Sequence, residues 1–135
     1  MALTRSQLTA ARWGGEEFLV LAGSTHGAPL DALAQRLMHA VNSAPVQLAD
    51  SRSVPVTVSV GYGAFPLPPQ HEAMHWTRAL NLADMTHYTA KSQGRNRVLG
   101  VAELAQDANA LGDTERDFEH AWTAGRVRLK ITAGA

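Results

Sequence analysis

Residues Arg12-Trp13-Gly14-Gly15-Glu16-Glu17-Phe18 lead directly into the apolar run Leu19-Val20-Leu21-Ala22. Paired glycines favour a hairpin turn, because glycine reaches positive φ angles at little steric cost. The apolar run is short and rich in β-forming residues, so it predicts a buried strand. Two carboxylates beside a buried strand need a cation nearby, and a divalent metal ion is the usual one. The alternative is a surface hairpin with two solvated acids, because short motifs recur by chance.

The composition is that of an ordinary globular domain. The chain of 135 residues is 45% hydrophobic and 18% charged, which suits one domain with its own core. The 12 Lys and Arg residues balance the 12 Asp and Glu residues, so we expect no binding to nucleic acid. The absence of cysteine excludes disulfides, thiolate zinc sites and a cysteine nucleophile. No apolar run approaches the ~20 residues of a membrane span, so we expect a cytoplasmic protein without direct membrane contact.

Periodicity along the chain predicts alternating helices and strands. Residues up to Thr9 are typical of a helix end, and helical spacing predicts an amphipathic helix over 30–42. We expect a short hairpin over 46–54 and a half-buried strand over 56–60. A second helix is predicted over 72–92, with Gly94 as its left-handed cap. A strand is predicted over 97–101. Residues 102–135 then form a predicted helix-strand extension, whose last strand carries Lys and Arg as edge strands do.

Two cations flank the end of the second predicted helix. Lys91 lies in its last turn and Arg95 follows its cap, so both can reach one ligand, as a triphosphate clamp requires. The alternative is that they complement the negative end of the helix dipole.

The residues from His71 to His75 match the H-E-x-x-H pattern of zinc hydrolases. On a helix the two imidazoles would share a face, with Glu72 as the base. A third ligand is needed, and His87 lies about three turns from His75, too far to share one zinc ion. A zinc hydrolase is therefore kept as a distant alternative.

Four segments resemble, in this order and spacing, the GGDEF family of diguanylate cyclases. They are 12–18, 56–61, 83–91 and 94–96, and the resemblance covers about 5–101. It implies an α+β fold with a palm-like, ferredoxin-like sheet, as in nucleotide cyclases and polymerases. The implied reaction condenses two GTP molecules into cyclic di-GMP and releases pyrophosphate, with one GTP held by each subunit of a homodimer.

The resemblance also assigns roles to residues. Glu16 and Glu17 would be catalytic and would hold Mg²⁺ or Mn²⁺, with Glu16 accepting the proton of the attacking hydroxyl. The implied GTP-binding residues are Gly14, Gly15, Lys91 and Arg95. This division suits phosphoryl chemistry in which cations stabilise the attacking and leaving oxygens.

Two departures from the family pattern limit these expectations. The inhibitory R-x-x-D site retains Arg5, and Arg36 matches the second inhibitory arginine, but Leu8 replaces the aspartate, so these are remnants. The N-terminal half of the domain, which supplies a metal-binding aspartate, has no counterpart here. We therefore predict that 1–101 form the C-terminal portion of a GGDEF domain, incomplete at the N-terminus and inactive alone. The alternative function is a non-catalytic module that binds cyclic di-GMP or GTP for regulation.

Overall fold

The structure is a computed structural model and describes residues 8–23, 30–65 and 74–135. Its elements in chain order are β1 (Leu8–Gly14), β2 (Glu17–Ala22), α1 (Leu30–Asn42), β3 (Val46–Gln47), β4 (Ser53–Val54), β5 (Val60–Tyr62), α2 (Trp76–Ser92), β6 (Arg97–Leu104), α3 (Ala110–Arg116), α4 (Phe118–Thr123) and β7 (Val127–Ala133). The chain is a mixed helix-and-sheet protein, as predicted. Among the described residues, no helix is long and apolar enough to cross a membrane.

Strands β1 and β2 form the hairpin predicted at the paired glycines. They run antiparallel, and their pairing ends with Gly14 opposite Glu17. Gly15 and Glu16 form the turn between the strands. The register shifts just before Gly14, which makes Trp13 an extra residue of β1, as in a β-bulge. A bulge changes the side-chain alternation, so the residues on either side of it are re-aimed toward the turn.

The strand predicted to be fully buried is only partly buried. Trp13 of β1 is 58% exposed, and in β2 Phe18 is 70% and Leu21 61% exposed, whereas the other apolar residues of β2 are half-buried. Strands β1 and β2 pair with each other and with no other strand in the described ranges. The prediction of burial is wrong for this chain, because an apolar strand is buried only where a further layer covers it. The helix end predicted up to Thr9 is also wrong where it can be compared, since β1 begins at Leu8.

A second sheet has the strand order β5-β6-β7. Strand β5 runs parallel to β6, with Val60 opposite Val98, and β7 runs antiparallel to β6. Helices α1 and α2 both pack against β5 and β6. Leu82, Val98 and Leu99 are almost completely buried between these layers. Each such aliphatic side chain stabilises the fold by about 1.5–3 kcal/mol, so this sheet and its two helices form the rigid part of the described structure.

The predicted elements agree with the structure best for the helices. Helix α1 has the predicted bounds, and the β3–β4 hairpin lies within the predicted range. Strand β5 is shifted, because Val60 is its first residue whereas the predicted strand ended there. Val56 is 39% exposed and precedes the first residue that pairs with β6. Helix α2 begins at Trp76, later than predicted, and residues 72 and 73 lie outside the described part.

The predicted extension is built onto the sheet. Strand β6 continues through residue 101, the predicted boundary, and β7 pairs along it. Asp117 caps α4 by accepting a hydrogen bond from the backbone N–H of His120 at 3.0 Å. Ala110, Ala121 and Val127 share one buried cluster with Leu82 of α2. The extension therefore packs in one core with α2, and the division at residue 101 stays a prediction about where the family's portion ends.

Candidate functional site

The tip of the β1–β2 hairpin has open space around its glycines. Gly15 has a φ angle of +50°, a conformation that glycine adopts without strain. Glycine at the first central position of a two-residue turn is the preference of the type II′ hairpin. Among the described residues, a Cβ atom added to Gly14 or Gly15 would meet no atom within 4 Å apart from its chain neighbours. This space is free for a ligand to approach the backbone closely.

The two acids at the hairpin tip lie beside the end of α2. The Nζ atom of Lys91 is 3.5 Å from Oε1 of Glu17 and 3.9 Å from Oε1 of Glu16. The Glu16 side chain is 87% exposed, whereas that of Lys91 is 27% exposed. Long, hydrated ion pairs of this kind contribute only ~0–1 kcal/mol to stability. All three charged groups can therefore exchange these contacts for a ligand at little energetic cost.

Helix α2 fixes the position of Lys91. Its buried residues Leu82, Thr86 and Ala90 are spaced by four, so they lie on one face and hold the helix against the sheet. The C-cap of the helix is Gln93, whose backbone N–H donates to the carbonyl of Thr89, and the N–H of Gly94 donates to the carbonyl of Lys91. Lys91 thus follows a fully buried alanine in a well-capped last turn, while its ammonium group reaches the acids of the hairpin.

Arg95 does not join this cluster. It has a φ angle of +62° in the turn that follows α2, and its side chain forms no ion pair with Glu16 or Glu17 in the described structure. Its backbone carbonyl accepts a hydrogen bond from Nε of Arg97 at 3.0 Å. The structure therefore groups Lys91 with the two acids, and the predicted contact of Arg95 with phosphate stays a prediction.

Arg12 also belongs to the site, although little in the residue pattern indicates it. Its Nε and Nη2 atoms both donate to the carbonyl oxygen of Gly15, at 3.0 and 2.7 Å. The guanidinium group thus bonds to the first residue of the turn that carries Glu16. The only sequence signal is a basic residue three positions before the second glycine, a spacing that says nothing about carbonyl contact without the bulge at Trp13.

The acidic pair fits a small divalent cation that is shared with a phosphate ligand. Glu16 and Glu17 supply carboxylate oxygens, the donors that Mg²⁺ and Mn²⁺ prefer. Within the ranges that the structure describes, no three His, Cys, Asp or Glu side chains are grouped so that they could hold a metal ion. Magnesium is commonly held by one or two carboxylates together with substrate phosphates and water. The residues present fit that arrangement.

Of the two remnants of the inhibitory site, Arg36 is the one that the described residues include. Arg36 lies on the exposed side of α1. Arg5 lies outside the described residues, and Leu8, which replaces the aspartate of the pattern, begins β1.

Only His75 of the H-E-x-x-H pattern can be described in full. It is the N-cap of α2, and its Nδ1 atom accepts a hydrogen bond from the backbone N–H of Thr77 at 3.3 Å. His71 and Glu72 lie outside the described residues. The contact seen for His75 satisfies a free N–H group at the start of a helix, which is a structural role.

The glycines, the two acids and the lysine at the helix end lie within a segment that matches a known protein family. Residues 2–97 match the family model described as "Diguanylate cyclase, GGDEF domain". The chain belongs to the GGDEF family. This confirms the resemblance found in the sequence, and the match covers part of a GGDEF domain.

Several curated relatives are similar to this GGDEF chain. Diguanylate cyclase A of Treponema denticola is 34% identical over 95 residues, which are 70% of this chain and 24% of that protein. The bifunctional diguanylate cyclase/cyclic di-GMP phosphodiesterase MucR of Pseudomonas aeruginosa is 37% identical over 111 residues, 81% of this chain and 15% of that protein. The response regulator PleD of Caulobacter vibrioides is 36% identical over 92 residues, 67% of this chain and 19% of that protein. The chain thus spans about a quarter of these relatives or less, and no solved structure matches it.

Proposed function

We propose that this chain is the part of a diguanylate cyclase domain that binds the metal ion and the phosphates of GTP. The complete domain would have the palm-like fold of nucleotide cyclases and would condense two GTP molecules into cyclic di-GMP with release of pyrophosphate. The observation that carries the proposal is the position of Lys91, which lies within 4 Å of both Glu16 and Glu17. A cation and two carboxylates at one point can bind both parts of a metal-nucleotide complex, because the carboxylates bind the metal ion and the cation binds the phosphates.

The residues of the site would divide the work by charge. Glu16 would hold Mg²⁺ or Mn²⁺ and accept the proton of the attacking 3′-hydroxyl, and Glu17 would share the metal. Lys91, joined by Arg95, would bind the phosphate oxygens. The open space at Gly14 and Gly15 would admit the nucleotide to the backbone. When bound, the metal ion supplies the positive charge that stabilises the attacking and leaving oxygens.

The proposal needs two copies of the site. The reaction joins two GTP molecules, and one chain has one hairpin tip with its acidic pair, so a homodimer would bring two such tips together. The substrate GTP places the reaction in the cytoplasm. The equal numbers of basic and acidic residues agree with a nucleotide ligand rather than a nucleic acid.

Calorimetric titration of GTP with and without Mn²⁺ tests this function. We expect binding that depends on the metal, weakened about tenfold or more by Glu16→Gln, Glu17→Gln or Lys91→Gln, because each removes a charge-assisted contact. Glu119→Gln is the matched control, since Glu119 is exposed on α4, remote from the hairpin in the chain. GTP binding that ignores both the metal and these substitutions would remove the basis of the proposal. Binding of cyclic di-GMP alone would support the non-catalytic regulatory module instead.

A further inference from the structure

We infer that Arg12 is a positioning residue, which holds the hairpin turn so that Glu16 and Glu17 are presented together. The inference rests on the proposed role of these acids in metal binding. It names a residue that does not touch the metal or the nucleotide but acts through the backbone of the turn.

The geometry of the contact restrains the backbone of the turn at Gly15. Two nitrogen atoms of the Arg12 guanidinium, Nε and Nη2, donate to one acceptor, the carbonyl oxygen of Gly15, at 3.0 and 2.7 Å. The planar guanidinium group offers its donors in a fixed fork, so the paired bonds restrict the direction of the carbonyl as well as its distance. That carbonyl belongs to the peptide group between Gly15 and Glu16, and fixing it orients the backbone from which the carboxylates project.

The turn needs such a restraint because little else constrains it. Gly15 has a φ angle of +50° and access to many other conformations. Strands β1 and β2 pair only with each other among the described strands, and an isolated two-stranded hairpin is marginally stable in water. The Glu16 side chain is 87% exposed and its contact with Lys91 is 3.9 Å long, so packing does not hold it. The conformation of the turn therefore decides where the acidic pair lies.

The β-bulge explains why Arg12 can reach the carbonyl of Gly15. Arg12 pairs with Phe18, and the register then shifts, so that Gly14 rather than Trp13 pairs with Glu17. The extra residue increases the local twist and bends β1. Trp13 is thus the insertion that lets Arg12 reach the carbonyl of Gly15, the first residue of the turn.

A charge effect and a positioning effect can be separated at Arg12. No ion pair joins Arg12 to Glu16 or Glu17 in the described structure, so the guanidinium group does not act by direct neutralisation of either acid. Arg12→Lys keeps the positive charge but loses the two-donor fork. Arg12→Met keeps a chain of similar length and loses both. If Arg12 positions the turn, the two variants will behave alike.

The experiment titrates Mn²⁺ into the full 135-residue chain without nucleotide and measures binding by the paramagnetic relaxation of water protons. Backbone amide spectra of Gly15 and Glu16 are recorded on the same samples before Mn²⁺ is added. We expect both Arg12 variants to bind Mn²⁺ about tenfold more weakly than the wild type, as is usual when a residue that orients a metal ligand is lost. The amide signals of Gly15 and Glu16 will shift or broaden in both variants. Amide signals of the β5–β6 sheet will stay unchanged, which a general loss of structure would not allow.

Arg52→Met is the matched control. Arg52 also bonds within a two-stranded hairpin, through Nε to Oδ2 of Asp50 at 2.6 Å, and it is exposed. Its hairpin lies apart from the acidic pair in the chain, so Mn²⁺ affinity will equal that of the wild type. Wild-type affinity in Arg12→Lys or Arg12→Met overturns the inference and leaves the proposed function standing. A wild-type chain that binds neither Mn²⁺ nor Mn²⁺ with GTP overturns the proposed function, and the positioning role with it.

Discussion

Tyr62 lies where α1, the sheet and the C-terminal strand meet. Its ring covers Gly100 of β6, where any side-chain carbon would overlap it. Asp31 at the start of α1 is nearly buried and pairs with Lys130 of β7, with 2.5 Å between Nζ and Oδ2. Burial raises the pKa of Tyr62 to about 12, and the negative charge of Asp31 adds to the rise. The phenol thus stays neutral because both its surroundings and its neighbour oppose ionisation.

This shift predicts how Tyr62 ionises and how stability responds to alkali. The pKa in the folded chain lies above the ordinary 10.0, so the stabilising contribution is complete below about pH 10 and is lost as the pH rises through 12. The Tyr88→Phe variant leaves Tyr62 as the sole tyrosine of the two in the chain, and near-ultraviolet absorbance then follows its phenolate alone. Adding Asp31→Asn will lower the pH midpoint of this phenolate titration. A midpoint near pH 10 in the folded Tyr88→Phe chain would contradict the burial of Tyr62.

At the level of single residues, the sequence predicted which residues carry the site better than it predicted the contacts that hold them in place. The resemblance to the GGDEF family put Glu16, Glu17, Lys91 and Arg95 in one site. Of these, the side chains of Glu16, Glu17 and Lys91 lie together in the structure. The bond from Arg12 to Gly15 depends on a bulge, and the capping role of His75 depends on where α2 begins. Both follow from local backbone geometry, which residue type and spacing do not determine.

Among the elements, β5 and α2 approach each other closely at Gly61. A Cβ atom at Gly61 would overlap the backbone nitrogen of His87 and would lie 2.5 Å from the carbonyl oxygen of Ala83. These are main-chain atoms of α2, which cannot move without displacing the helix. Since Gly61 is not at a positive φ angle, the restriction is one of space and not of backbone conformation.

Gly61→Ala is therefore expected to destabilise the fold by about 1–3 kcal/mol, the usual effect of forcing an extra carbon into a packed interior. Equilibrium unfolding in denaturant measures the change. Gly112→Ala is the control, because a Cβ atom there meets no described residue other than its chain neighbours within 4 Å. Helix α3 should gain about 0.5–1 kcal/mol from the replacement of glycine. Equal unfolding midpoints for Gly61→Ala and the wild type would show that β5 and α2 are not in contact at this point.

The contrast between helices and strands explains which elements the sequence could predict. A helix satisfies its hydrogen bonds within itself, so the spacing of apolar residues suffices to place α1 and most of α2. A strand depends on its neighbours. The run at 19–22 was predicted to be buried and is partly exposed, and the alternation at 56–60 meets β6 only at its last residue. Residue composition and alternation predicted that these strands exist. Their pairing and burial depend on distant parts of the chain, so local sequence could not predict them.

Over the whole molecule, two regions differ in how firmly they are held. The β5–β6–β7 sheet, α1, α2 and the C-terminal helices bury two clusters of side chains. The β1–β2 hairpin carries both acids of the proposed site yet keeps Trp13, Phe18 and Leu21 exposed. Two long ion pairs join it to Lys91 at the end of α2. The firm region thus supplies the cation of the site, and the loosely held hairpin supplies the acids.

This difference leads to the expectation that the 135-residue chain alone does not convert GTP and Mg²⁺ into cyclic di-GMP. Among the described residues, the site offers two carboxylates and no third metal-binding side chain. A hairpin that leaves Trp13, Phe18 and Leu21 exposed is too loosely packed to hold the two carboxylates rigidly through the chemical step. Chromatographic separation of nucleotides after incubation measures the product, with Glu16→Gln as the control for contaminating cyclases. Metal-dependent GTP binding without product is the expected result. Product formed by the wild type and abolished in Glu16→Gln would mean that the residues of this chain suffice for catalysis.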